Sequence, residues 1–391
     1  MIDFSLAQYT EDKCTNENKI LRLGDLIINS TGQGTAGRCA YVSELPNTKV
    51  TVDSHMLIVR FNNKDLSKFF SYFLYKNEEL MLTLLTGSSG QGEFDKERAF
   101  NIKFPYCNEN KEIFCKIFDA IADKIQLNNK INAELENMAK TLYDYWFVQF
   151  DFPDENKRPY KSANGKMVYN EVLKREIPEG WEVGTFASYI KQDKGGDWGK
   201  DECAGNYIKK VYCIRGADFP SLTGHSSCKA PIRFILNKNS SKILSSGDLV
   251  IEISGGSPTQ STGRIGYINQ HVLERFDDDV ITSNFCKALS LNYKNTLYNF
   301  YLEWERLYKS GLFFNYEGKT TGIKNLLFDT FVESYKIAIP PQNIINAFYD
   351  TVRNIFEKIQ CNAKENHYLE TIRDFLLPLL MNGQVTVSPE H

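Results

Sequence analysis

The chain carries little that could do chemistry. Its nine cysteines, Cys14, Cys39, Cys107, Cys115, Cys203, Cys213, Cys228, Cys286 and Cys361, are scattered and none forms a Cys-x-x-Cys pair. That speaks against a zinc ribbon or a disulfide framework and for buried reduced thiols. The five histidines, at 55, 225, 271, 367 and 391, form no ligand-spaced cluster, so no metal centre is expected. There is no G-x-x-x-x-G-K-[ST] loop and no Asn/Asp-Pro-Pro-Tyr/Phe, the signatures of a P-loop nucleotide site and of an amino-methyltransferase. Neither catalysis nor a nucleotide cofactor is expected. No stretch approaches 18 uninterrupted apolar residues, and the N-terminus lacks a basic region and an apolar core, so the expected location is the cytoplasm. Charge of one sign is also missing: 46 basic residues stand against 49 acidic in 391, a net of −3. Charge alone announces no nucleic-acid footprint.

What is present is ordinary globular composition, 42% hydrophobic and 24% charged, in a chain long enough for two or three domains. Residues 109–147 contain no Pro or Gly, and Ile121, Ile131, Leu135, Met138, Leu142 and Tyr145 recur at heptad a and d positions. Such a run reads as one helix, roughly 60 Å long at ~1.5 Å per residue, which is too long for one compact domain and needs a partner helix. A partner exists at 344–381. Lys124-Ile-Gln126 matches Lys358-Ile-Gln360, an offset of 234 that also pairs Phe114 with Phe348, Ile121 with Ile355, Asn128 with Asn362 and Leu142 with Leu376.

The repeat extends beyond the helices. Gly24-Asp25-Leu-Ile-Ile28 answers Gly247-Asp248-Leu-Val-Ile251, each a turn followed by a short apolar strand and a Gly-rich loop. Helical patterning follows at 67–85 and 296–309, then a Gly/Ser/Thr loop, then Phe100 to Pro105 and Tyr335 to Pro340, strands ended by proline. The expected fold is α+β, with two globular mixed α/β domains separated and joined by two long antiparallel helices in a coiled coil with a pseudo-twofold repeat. Its divisions are 1–107, helix 108–150, linker 151–180, second domain 181–340 and helix 341–385. The copies are unequal: 66 residues separate Trp181 from Gly247, but only 23 precede Gly24. Roughly forty residues are therefore expected to be missing from the first domain, leaving Leu26, Ile27 and Ile28 uncovered.

Two motifs have plain readings. Gly32-Gln-Gly-Thr-Ala-Gly37 fits G-x-G-x-x-G, but a strand pattern follows it where a dinucleotide site needs a helix. Pro153-Asp154-Glu-Asn-Lys157 has a nuclease-like composition, but its acidic residues are adjacent on a linker, as in a solvated charge cluster.

These signatures, with Ile339-Pro-Pro-Gln342 and the linker Arg158-Pro-Tyr-Lys161 through Gly165-Lys-Met-Val-Tyr-Asn-Glu171 to Pro178-Glu-Gly-Trp181, resemble the specificity (S) subunit of type I restriction-modification systems over nearly the whole chain. The resemblance implies a non-catalytic subunit in which two target-recognition domains each read half of a bipartite double-stranded DNA site. It also implies paired helices that dock the modification (methyltransferase) subunits and, through them, the restriction subunit. The short first domain departs from the family. A partial or silent specificity copy acting as a coiled-coil scaffold, or a fused methyltransferase-nuclease, are the competing readings.

Base reading suits Arg and Lys at guanine and Gln at adenine, with glycine letting backbone approach phosphate. The Gly-rich loops place Gln33, Arg38, Ser88, Gln91, Gln260, Arg264, Lys319 and Lys324 as candidate DNA contacts. The helix midpoints fall at 128 and between 362 and 363, so Asn128 and Asn362 are expected to meet across the pseudo-twofold and set the register.

Overall fold

The computed structural model describes residues 17–385 apart from 32–34, 87–92, 95–96, 98–99, 105–110, 227, 256, 258 and 321, together with residues 4, 7 and 8. The chain divides into one unit made of 1–124 with 369–391 and a second made of 125–368. Mixed α/β structure occurs in both.

In the first unit, β1 (Leu26–Asn29) lies between β2 (Cys39–Tyr41) and β3 (Met56–Val59), all antiparallel. Helix α1 (Lys64–Lys76) starts where the Asn63 side chain accepts from the N–H groups of Asp65 and Leu66, satisfying donors that the helix itself cannot. It buries Phe69, Phe70, Phe73 and Leu74. Phe69 packs on Phe114, at the start of the long helix α2 (Lys111–Tyr143), with ring centroids 4.6 Å apart. Leu26, Ile27 and Ile28 are 0, 8 and 3% exposed, against the expectation that a short first domain leaves them wet. A strand, β2, follows the Gly-rich loop and pairs with β1, at the place where a dinucleotide site would require a helix.

The second unit repeats this core and enlarges it. Strands β4 (Ile190–Gly195), β7 (Leu249–Glu252), β8 (Ile265–Tyr267) and β10 (Cys286–Leu291) form an antiparallel sheet ordered β8-β7-β10-β4. A second sheet joins β5 (Tyr207–Ile214) to β6 (Ile232–Leu236) and, in parallel, to β9 (Val280–Thr282). Helix α3 (Leu297–Lys309) buries Phe300 and Trp304 against Phe186, Phe313 and Phe331. A hairpin, β11 (Glu317–Thr320) and β12 (Ile323–Leu326), projects next to the two-residue strand Ser254–Gly255, and α4 (Gln342–Met381) ends the described fold.

The internal repeat is reproduced atom for atom at the Gly-Asp turns. Gly24 (φ +93°) donates to Val42 O at 2.9 Å and Gly247 (φ +101°) to Ile268 O at 2.8 Å; both adopt a left-handed backbone that glycine tolerates without strain. Asp25 and Asp248 are both buried, and each accepts from the backbone N–H three residues earlier, Arg22 and Ser245, at 2.8 Å. The cations differ. Arg60 grips Asp25 with two 2.7 Å bonds, whereas Lys194 from β4 reaches Asp248 at 2.8 Å, joined by Ser290 Oγ at 2.6 Å. Among the described residues, no strand corresponding to β4 pairs with the outer edge of β3.

Within the second unit α2 and α4 run antiparallel, because their hydrogen-bonded partners descend on one helix as they ascend on the other. Asn128 Nδ2 donates to Asn366 Oδ1 at 2.9 Å, and Asn362 Nδ2 donates to Asn132 Oδ1 at 2.9 Å. Asn128 therefore meets Asn366 instead of Asn362. The two crossed bonds join asparagines one turn apart on each helix; Asn366 Nδ2 goes on to Asn129 Oδ1 at 2.9 Å and Asn132 Nδ2 to Ile359 O at 3.2 Å. The pseudo-twofold passes between positions 130 and 364. Those positions differ by the same 234 residues as the sequence repeat. The seam differs from its heptad reading as well. Asn128, Asn132, Ala139, Tyr143 and Trp146 are buried, while Met138 is 53% and Tyr145 37% exposed. The buried stripe is rotated so that α2 faces both α4, where Tyr143 packs on Phe348, and α3, where the Tyr143 hydroxyl donates to Glu303 at 2.9 Å.

Candidate nucleic-acid interface

At the far end of β7 the second unit builds a two-part polar platform. Glu252 is 6% exposed and takes Arg264 bidentately, Nε–H and Nη2–H donating at 2.8 and 2.6 Å, which holds the guanidinium charged and pushes its pKa up. Arg264 also lies 5.4 Å from the Phe219 ring. Beyond it, the loop leading to Thr262 is tied to the β11–β12 hairpin by one carboxylate. Glu317 Oε1 accepts from the Thr262 N–H at 2.7 Å and from its hydroxyl at 3.1 Å, while Oε2 pairs with Lys324 at 3.2 Å. With its side chain 4% exposed, Glu317 is tolerable as an anion because these donors replace its lost hydration. Lys324 Nζ also donates to Gln260 O at 3.4 Å and stands 5.0 Å from the Phe314 ring, and Ser254 Oγ bonds Asn325 Oδ1 at 2.6 Å. Loop and hairpin thus form one braced surface, with Gly322 (φ +81°) beside the hairpin tip.

The sequence candidates fall unevenly on this arrangement. Gln260 is exposed and lies with Lys324 on the platform; Lys319 sits opposite Lys324 in the hairpin register. Arg264 and Lys324 have their charges committed to Glu252 and Glu317, so they brace the platform more than they reach outward. Arg38 is exposed at the approach to β2 in the first unit. Gln33, Ser88 and Gln91 lie outside the described residues. Sequence reasoning missed Glu252, Thr262 and Glu317. The only trace of them is that Glu252 and Arg264 flank a Gly-rich loop at the ends of two apolar runs. Asp154 is a turn residue: its Oδ1 accepts from the N–H groups of Asn156 and Arg158 at 2.8 Å, which accounts for the acidic linker cluster without a metal. Among the described residues no group of three or more His, Cys, Asp or Glu side chains could hold a metal ion, and no helix is long and apolar enough to cross a membrane.

Helix α2 is fastened to the same globular core through polar side chains. Gln360, fully buried on α4, donates to Leu222 O at 2.6 Å and Tyr267 Oη at 2.9 Å and accepts from Arg275 at 3.1 Å. On α2, Glu136 meets His225 at 2.9 Å and Lys140 at 2.6 Å; Lys140 also faces Glu305 of α3, which Lys309 approaches to 2.9 Å. Burial alone would raise the Glu136 carboxyl, but the bonds from His225 and Lys140 outweigh it and hold the pKa at about 2. The Glu136 hydrogen bond carries His225 above its usual pKa, against burial. Because the folded His225 pKa is raised, its contribution to stability is complete below about pH 6.5 and is lost as pH rises through the elevated value. Thermal unfolding from pH 6 to 9 should show a fall in midpoint that His225→Gln flattens; an unchanged pH profile in the variant would remove His225 from this role.

Comparison with known proteins gives one family match and several relatives. Residues 6–137 match the family model described as "Type I restriction modification DNA specificity domain". The chain is 26% identical over 330 residues to the type I restriction enzyme MjaIX specificity subunit of Methanocaldococcus jannaschii, covering 81% of this chain and 69% of that one. It is 25% identical to the HindI specificity subunit of Haemophilus influenzae, covering 94% and 88%. A crystal structure of the type I restriction-modification S subunit from M. genitalium aligns over 95% of this chain and 86% of that chain, at 14% identity and a TM-score of 0.48.

Proposed function

We propose that this chain is a specificity subunit of the type I restriction-modification kind, the DNA sequence-recognition subunit of such a complex, reading a two-part target and supplying no catalysis of its own. The observation that carries this reading is the duplication of one strand-turn-strand core, down to the hydrogen bonds of Asp25 and Asp248, together with that of the long helix that accompanies each copy. A duplicated reader suits a target in two halves. The second unit reads its half through the Gln260 loop and the β11–β12 hairpin; Arg38 marks the corresponding loop of the first. The helices α2 and α4 form the coiled coil that separates the readers and docks the modification subunits, through which the restriction subunit is engaged.

Methyl transfer distinguishes this reading from its competitors. The purified chain should transfer no methyl group from S-adenosylmethionine, and the chain assembled with modification subunits should do so in a sequence-dependent way. Transfer by the chain alone would make it an enzyme, and an assembled complex indifferent to DNA sequence would reduce it to a scaffold.

In this reading the crossed asparagines, including Asn128 and Asn362, fix the helix register and thereby the gap between half-sites. Asn132→Leu should cost about 1–3 kcal/mol, because the Asn362 amide is then buried without its acceptor. Asn132→Leu with Asn362→Leu should recover most of that loss in a double-mutant cycle of thermal unfolding. Strictly additive losses would show that the pair is not coupled.

A further inference from the structure

A tight turn joins β9 to β10 beside the braced platform of the second unit. Gly195, the last residue of β4, and Glu252, the last of β7, lie opposite Lys287 and Cys286 at the start of β10, so the turn sits where the platform begins. Its backbone is fixed on both sides. Ser283 O accepts from the Cys286 N–H at 2.9 Å and closes the turn, while Phe285 O accepts from the N–H groups of Ile253 and Ser254 at 2.9 and 3.2 Å. Ser254 is also the residue whose hydroxyl holds Asn325 of β12, and the loop carrying Gln260 follows directly after the strand Ser254–Gly255. The turn is therefore joined to both elements of the platform.

It carries a side chain that its own geometry does not require. Phe285, 50% exposed, occupies the third position of the turn, where Gly, Asn, Asp or Ser would serve without leaving a ring in water. Scattered exposed apolar residues need no explanation, but this one has an aromatic neighbour. The loop after β4 lies flat against the same turn: Gly196 has no room for a Cβ beside the Ser283 carbonyl, and Asp197 N–H donates to Thr282 O at 2.8 Å. The other end of that loop is fastened to β6, where Lys200 and Phe234 exchange two backbone bonds of 3.0 and 2.9 Å. Between these anchors Trp198, 38% exposed, is held with the buried Arg233 guanidinium 3.8 Å from its ring centre. Two half-exposed rings thus stand within two residues of the contact between Gly196 and Ser283, on backbone that hydrogen bonds immobilise. The platform's carboxylates, Glu252 and Glu317, are neutralised by Arg264 and Lys324, so the surface they brace does not repel phosphate.

We propose that the β9–β10 turn is a third DNA-reading element of the second unit, and that Phe285 makes an apolar contact with a base of its half-site. DNA offers two such contacts, the methyl group of thymine and the ring face at an opened base step. The inference rests on the reading of the Gln260 loop and the β11–β12 hairpin as the DNA-facing side of this unit.

Competition binding by the assembled complex, with duplexes altered in one half-site at a time, tests it. Phe285→Ala should keep the thermal midpoint of the chain and lower discrimination at one half-site by about tenfold while sparing the other. The slope of log K against log salt should not change, because no phosphate contact is lost. Phe285→Leu, which keeps apolar bulk, should recover most of the discrimination. Two probes then identify the contact. If the ring meets a methyl group, deoxyuridine in place of one thymine weakens wild-type binding and leaves Phe285→Ala indifferent; if it enters the stack, 2-aminopurine brightens at one step with the wild type and stays quenched with Phe285→Ala. Neither signature at any position, an equal loss at both half-sites or a changed salt slope overturns the proposal. Full discrimination by Phe285→Ala overturns it alone where Glu317→Ala still weakens the half-site; where neither variant matters, the reading of the platform falls with it.

Discussion

Asp248→Ala should destabilise the second unit by about 3–5 kcal/mol, the cost of leaving a buried cation without its anion. The Asp248 and Lys194 side chains are 5% and 12% exposed, and the carboxylate also satisfies the Ser245 N–H and the Ser290 hydroxyl. Its removal strips three donors at once and uncouples β4 from the β7 turn. Asp248→Asn should recover part of the loss, because an amide oxygen can still accept from the backbone. The matching Asp25→Ala change should cost less, since Arg60 is 28% exposed and can turn to water. Denaturant unfolding of the full chain measures both. A loss below about 1 kcal/mol at Asp248 would show that the shared Gly-Asp turn is not what holds each reader together.

Glu317→Ala should weaken reading of one half of the DNA target while sparing the other. The change leaves the Thr262 N–H without an acceptor and the Lys324 charge without a partner, so the loop and the β11–β12 hairpin lose their common brace. A loss of about 1–3 kcal/mol corresponds to roughly ten- to a hundredfold in affinity for that half-site. Glu317→Gln retains an acceptor for Thr262 and should fall between wild type and alanine. Competition binding by the assembled complex, with each half-site altered in turn, separates the effects. Equal weakening at both halves would point to a general folding defect, and unchanged binding would place the DNA contacts elsewhere.

The repeat was legible because the forces that make it are periodic. Apolar spacing exposed α2 and α4, and the Gly-Asp dipeptides exposed the two turns, since few residues other than glycine tolerate φ near +100°. What escaped depends on contacts between distant residues. Helix midpoints suggested Asn128 opposite Asn362, but in the structure the asparagines pair crosswise, Asn128 with Asn366 and Asn362 with Asn132, one turn away from that register. The heptad assignment put Met138 and Tyr145 on the seam because it assumed one neighbour; α2 has two, the partner helix α4 and helix α3, which Tyr143 and Lys140 reach at Glu303 and Glu305. Ion pairing also hid the platform, since Arg264 and Lys324 look like free base readers in sequence and are held by Glu252 and Glu317, 12 and 7 residues away. Leu26, Ile27 and Ile28 find cover within a three-stranded sheet, which a count of missing residues could not reveal.

The central claim is that two copies of one module read two halves of one site at a separation fixed by the helices. Methylome sequencing of cells expressing the chain with its modification subunits tests it most directly. The expected result is one bipartite motif with a gap of constant length; a single continuous motif would contradict the two-reader account.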